Sequence, residues 1–107
     1  MACLPPHGVE WLVDAVGCDP ARLADPACLE RLFESVVREA GLHPIGRPQW
    51  HRFPAPGGVT GFWLLEESHL SCHTFPEFGS ACLDLFCCVP RPAWPWEERL
   101  GSALGAG

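Results

Sequence analysis

No stretch of this sequence approaches 18 consecutive apolar residues, so it offers no membrane-spanning helix. Its opening residues, MACLPPHGVEW, lack both the basic and the apolar region of a secretory signal. Positive charge is scarce. The net charge of −6 makes a nucleic-acid backbone an unsuitable partner and tolerates a small cationic molecule better. No C-x-x-C pair occurs among the seven cysteines (Cys3, Cys18, Cys28, Cys72, Cys82, Cys87 and Cys88), which removes the usual spacing of a structural zinc site. An odd cysteine count without a secretion signal also argues against a disulfide framework. Reduced thiols acting as small buried hydrophobes are the expectation, in a cytoplasmic protein. Internal repeats and low-complexity tails are missing as well.

What is present fits one globular domain, residues 1–107, near the small end of the range, with 48% hydrophobic and 19% charged residues. Residues 8–16 read as a first strand, followed by a turn-rich connector, GCDPARLADP. A helix comes next. Asp25 caps it, Pro26 sits in its first turn and Gly41 closes it. Leu29, Leu32, Phe33, Val36, Val37 and Ala40 recur at helical spacing and make one apolar face. Arg31, Glu34, Arg38 and Glu39 read as a solvated face. The proline-rich segment around IGRPQWHRF, residues 45–53, supports at most a short edge strand. Further strands are expected at 59–67, 69–75 and 80–88, with turns at PAPGG and PEFG, and a last helix at 96–104. The expected fold class is α+β: a two-layer α/β sandwich with helices on one face of a largely antiparallel sheet.

One stretch carries unusual chemistry. LLEESHLSCHTFPEF, residues 64–78, puts Glu66, Glu67, Ser68, His69 and His73 within eight positions of a mostly apolar run. His69 and His73 are four apart, which on a helix would suit a metal pair. On a strand they share a face but lie roughly 13 Å apart, so no shared metal is expected. The residue types alone leave two readings open: catalysis, or ordinary satisfied polar groups at a strand end.

The longer pattern is more specific. Glu67-Ser68-His69, His73-Thr74-Phe75-Pro76-Glu77 and the strand from Asp84 to Cys88 resemble the self-processing segment of the prokaryotic S-adenosylmethionine decarboxylases. The similarity extends over about residues 8–96, including HRF and GGVTG upstream and the GCDPARLADPACLERLFESVVREAG connector and helix. The resemblance implies that Ser68 attacks the Glu67 carbonyl, the chain breaks between Glu67 and Ser68, and Ser68 becomes a pyruvoyl group. The products would be a β chain, 1–67, and an α chain, 68–107. His73 matches the processing base, Thr60 the processing hydroxyl (usually serine), and Cys88 the proton donor. Cys87 is an extra neighbour, expected to point away from the site. Phe53, Phe75 and Glu77 match substrate-binding positions. The implied activity is decarboxylation of S-adenosylmethionine in polyamine biosynthesis, through a Schiff base between the pyruvoyl group and the substrate amine. Neither a metal nor PLP is implied. The implied assembly is a homodimer with sites at the interface.

The chain departs from the family pattern in places. Val16 stands where an aromatic ring usually precedes GCD, PHGVEW replaces a basic opening, and Thr60 replaces serine. These positions bear on substrate choice, and L-arginine or L-ornithine is the alternative substrate on the same scaffold. Two other classes remain: a non-catalytic binding module, and a thiol or metal protein built on Cys72, Cys82, Cys87 and Cys88.

Overall fold

A computed structural model describes residues 8–107. Cys3 and most of the opening segment discussed above lie outside the described residues. Within them the order is β1 (Val9–Ala15), α1 (Pro20–Leu23), α2 (Pro26–Glu39), β2 (Gln49–Arg52), β3 (Val59–Leu65), β4 (Ser68–Phe75), a 3₁₀ turn (Pro76–Phe78), β5 (Ser80–Cys87) and α3 (Trp96–Leu104). The strands form one five-stranded sheet, ordered β1-β5-β4-β3-β2, and every adjacent pair is antiparallel. Among the described residues no helix is long and apolar enough to cross a membrane.

Local chemistry accounts for the helix boundaries. Asp25 Oδ1 accepts from the Ala27 amide at 3.0 Å, and Pro26 begins α2 with its φ already helical. At the other end Gly41 takes the left-handed conformation, φ 68°. That lets the Leu42 amide reach back to the Val37 carbonyl at 2.9 Å and closes the last turn. The same Asp-Pro signal occurs six residues earlier. Asp19 caps Pro20, and α1 stands where a bare connector was expected. Its four residues are too few to display a 3.6-residue period, so periodicity could not find it.

Alternation along the strands makes the two layers. Val59, Trp63, Leu65, Leu70, Cys72, Ala81, Leu83, Leu85 and Cys87 face inward and are buried with Leu29, Leu32, Phe33 and Val36 of α2 and Leu100 and Leu104 of α3. Removing such a side chain costs about 2–5 kcal/mol. Thr74 fastens the layers with its buried hydroxyl, which donates to the Leu23 carbonyl at 2.8 Å and accepts from the Val59 amide at 2.9 Å. Trp50 of edge strand β2 lies over Gly61, where any Cβ would collide with the indole. Its ring packs against Phe33 at a 45° tilt and donates to Glu30 at 2.9 Å.

On the solvated face of α2, Glu39 is exposed as expected yet also takes fixed partners. Its carboxylate accepts from Trp94 Nε1 at 2.8 Å and pairs with Arg99 at 3.1 Å, holding the segment before α3 against the helix. Among the described residues, the opposite face of the sheet carries no helix. Leu12, Phe62, Leu64 and Phe75 are exposed on it, alternating with the buried residues of the same strands.

Candidate active site

β4 runs between two groups of the residues singled out in the sequence. The first lies at its start. β3 and β4 are joined by Glu66 and Glu67 alone, since Leu65 pairs with Ser68. Glu67 has φ 55° and is the one non-glycine residue of positive φ among the described residues. A side chain in that conformation costs about 1–2 kcal/mol, and tight hairpins usually place Gly, Asn or Asp there. The strain sits on the residue whose carbonyl forms the Glu67–Ser68 peptide.

That carbonyl is gripped. The Cys88 amide donates to Glu67 O at 2.7 Å. Ser68 itself is buried, 8% exposed, on the inward face of β4. Its Oγ donates to the Phe86 carbonyl at 2.6 Å and lies 3.6 Å from Cys87 Sγ. The two adjacent cysteines point apart, as strand geometry requires. Cys87 is the buried thiol beside Ser68, whereas the Cys88 thiol is exposed and contributes its backbone N–H.

The second group lies at the other end. Thr60 and His73 are cross-strand partners, and Thr60 Oγ1 shares a hydrogen bond of 3.0 Å with His73 Nδ1. The pair is on the open face, where His73 is exposed. Phe75 follows two residues on, Glu77 lies on the 3₁₀ turn beyond, and Phe53 comes directly after β2; all three are exposed. A shallow cavity of about 420 Å³ opens here, lined by His73, Cys82, Asp14, Ser71, Asp84 and Leu12 among others. Cys82 is in register with His73 and with Asp14, and donates to Asp14 Oδ1 at 3.2 Å. That hydrogen bond, with burial and the carboxylate charge, raises the Cys82 thiol above its ordinary range.

Within one chain these groups do not meet. Ser68 and His73 are five positions apart on a single strand, which is roughly 16 Å, and an odd spacing puts their side chains on opposite faces. Glu67, Ser68 and Cys88 therefore form one cluster, and Thr60, His73, Phe53, Phe75 and Glu77 the other. Strand parity carried this separation in the sequence itself. The grip of the Cys88 amide on Glu67 and the closeness of Cys87 to Ser68 depend on β4–β5 register, which no local pattern encodes.

The cysteines do not converge on a metal. Cys72 and Cys87 face inward, Cys82 lies on the open face and Cys88 is past the end of β5. Burial pushes the Cys72 thiol up to about 12, the behaviour of an inert packing group.

A family model described as S-adenosylmethionine decarboxylase matches residues 9–107. The chain belongs to this family. An S-adenosylmethionine decarboxylase proenzyme of Prochlorococcus marinus is 42% identical over 103 residues, covering 92% of this chain and 78% of the relative. One from Parasynechococcus marenigrum is 42% identical over 81 residues, 76% of this chain and 62% of the relative. One from Pyrococcus furiosus is 36% identical, and the match spans 57% of its length. The chain thus spans less than two thirds of the last two. A crystal structure of the adenosylmethionine decarboxylase from Aquifex aeolicus superposes with a TM-score of 0.76 at 28% identity, covering 96% of this chain and 84% of that one. The α+β sandwich is the fold of this family member too.

Proposed function

We propose that this chain is a self-processing, pyruvoyl-dependent decarboxylase of S-adenosylmethionine, cleaved between Glu67 and Ser68 and working as a homodimer. The observation that carries the reading is the Glu67–Ser68 junction. It joins a left-handed, strained glutamate to a hydroxyl nucleophile, with a backbone N–H 2.7 Å from the carbonyl oxygen that would bear charge. The relatives' name, proenzyme, supports the same step.

Ser68 Oγ attacks the Glu67 carbonyl carbon and the peptide C–N bond breaks, which moves the acyl group from nitrogen to oxygen and frees the strain at Glu67. The Cys88 amide stabilises the oxyanion of the tetrahedral stage. A base then takes the Ser68 α-proton, and the Glu67 carboxylate leaves as the C-terminus of chain 1–67. Water replaces nitrogen at residue 68, ammonia departs, and chain 68–107 starts with a pyruvoyl carbonyl. Once formed, that carbonyl captures an amine and accepts the electrons released with CO2. None of the 107 residues is lysine, so a lysine-held PLP has no anchor in this chain.

His73 suits the role of base, with Thr60 fixing its ring through Nδ1 and leaving Nε2 for the proton. The 16 Å between the two clusters is bridged when two chains pair through a two-fold axis. Glu67, Ser68 and Cys88 of one protomer then meet Thr60, His73, Phe53, Phe75 and Glu77 of its partner, twice per dimer. The open sheet face, with Leu12, Phe62 and Leu64 exposed, is the surface such pairing would cover. Phe53 and Phe75 offer faces for stacking a flat group, and Glu77 a carboxylate for a cationic substrate. Val16 is 60% exposed and cannot stack, so adenine is held by the two phenylalanines. The free state of all six described cysteines fits a reducing, cytoplasmic setting.

Intact mass tests the reading. The purified protein should give two fragments, 1–67 and 68–107, the second blocked at its N-terminus, and should release CO2 from S-adenosylmethionine faster than from L-arginine or L-ornithine. A single uncut chain that is nonetheless an active decarboxylase would contradict it.

A further inference from the structure

The open face carries a second cluster, next to Ser68, that the proposed reaction does not use. Strand register aligns Glu10 of β1, Phe86 of β5 and His69 of β4 in one row, and Asp84 precedes Phe86 by two residues on the same face. One ligand atom from each of Glu10, His69 and Asp84 lies within 4.8 Å of the others. His69 Nε2 stands 3.6 Å from Asp84 Oδ2. The imidazole is sandwiched between Phe62 and Phe86, with ring centroids 5.9 and 5.7 Å away and nearly parallel planes. Its edge is therefore held toward the carboxylates. The second Asp84 oxygen, Oδ1, is shut off from solvent and accepts no hydrogen bond among the described residues.

We propose that Glu10, His69 and Asp84 bind a divalent transition-metal ion, Zn²⁺ or Mn²⁺. One imidazole and two carboxylates are the donors such ions prefer, whereas soft copper(I) calls for sulfur. Metal–ligand distances of about 2.0–2.2 Å separate neighbouring donors by roughly 3–4 Å, so small side-chain rotations bring the trio to bonding distance. Two carboxylates balance the ionic charge. Glu10 is exposed in the single chain, so an ion can reach the trio before two chains pair. The orphaned Asp84 oxygen gains a partner, and the ion ties β1, β5 and β4 together one residue from Ser68. Local spacing concealed the site because its ligands come from three strands, at positions 10, 69 and 84. All three belong to one chain, so binding requires neither cleavage nor a partner subunit.

The test is calorimetric titration of the chelator-stripped full chain with zinc chloride and with manganese chloride, alongside a count of bound metal. About one ion per chain is expected, with a rise in the thermal midpoint. Asp84→Asn and His69→Gln should each weaken binding about a hundredfold or more, since even outer-shell partners of a ligand are worth 10–100-fold. His51→Ala, which removes an exposed histidine on β2, should leave binding unchanged. Wild type without saturable binding, or binding that survives both Asp84→Asn and His69→Gln, would overturn the site. Cleavage at Glu67–Ser68 is read separately by mass, so failure of the metal site and failure of the processing reaction are distinguishable.

Discussion

The two ends of β4 are built for different tasks. At its start Ser68 is buried, its hydroxyl is committed to Phe86, and the turn before it is strained at Glu67. At its far end His73 is exposed beside a shallow cavity, and its one side-chain hydrogen bond, to Thr60, orients the ring without covering it. One end holds a strained, protected peptide, and the other an accessible histidine with aromatic and acidic neighbours. A rigid strand keeps them apart in one chain, which is why the proposed reaction draws on a second copy.

The sharpest way to break this comparison is to disable one end at a time. Ser68→Ala should abolish cleavage completely and run as one band on a denaturing gel, with the fold intact by circular dichroism. His73→Ala should slow processing by about 10²–10⁴-fold, the range for removal of a positioned general base, measured as the rate at which the 68–107 fragment appears. If His73→Ala cleaved at the wild-type rate, the far end would have no part in processing.

The packing beneath the two ends gives a smaller effect. Gly61→Ala drives a methyl into the Trp50 indole and should destabilise the fold by about 1–3 kcal/mol in urea denaturation. β2 and Phe53 should loosen with it. The smallest effect is at the strained turn. Glu67→Asn, made in the Ser68→Ala chain so that cleavage cannot interfere, should stabilise by about 0.5–1 kcal/mol, because asparagine tolerates the left-handed region. In the otherwise native chain the same change should slow cleavage. A loss of stability instead would show that the Glu67 side chain is worth more than the strain it imposes.

Much of the architecture was legible in the sequence, because it rests on local signals. The Asp25 cap, the apolar stripe of α2 and the alternation of β3, β4 and β5 all carry their own period. The Glu67–Ser68–His69 motif marked the junction, and Val16 marked a departure that the structure leaves exposed. What stayed hidden was either too short or too distant in sequence. α1 has four residues and no period. Glu39 looked solvated because its partners, Trp94 and Arg99, lie more than fifty residues away. The roles of Cys87 and of the Cys88 amide depend on β4–β5 register. The separation of Ser68 from His73 was readable from strand parity, yet the motif's compactness suggested a single cluster.

The central claim is that each site joins the Ser68 end of one protomer to the His73 end of the other. Co-expressing Ser68→Ala with His73→Ala tests it most directly, since with its own kind the first chain is not cleaved and the second is cleaved only slowly. In a mixed dimer the His73→Ala chain keeps Ser68 and meets an intact His73 on its partner. With random pairing half the dimers are mixed and one site in each is whole, so about a quarter of wild-type sites should return. The account predicts that the His73→Ala chain is cleaved in the mixture and that decarboxylation of S-adenosylmethionine reappears at about that level. A mixture as uncut and inactive as the separate variants would contradict it.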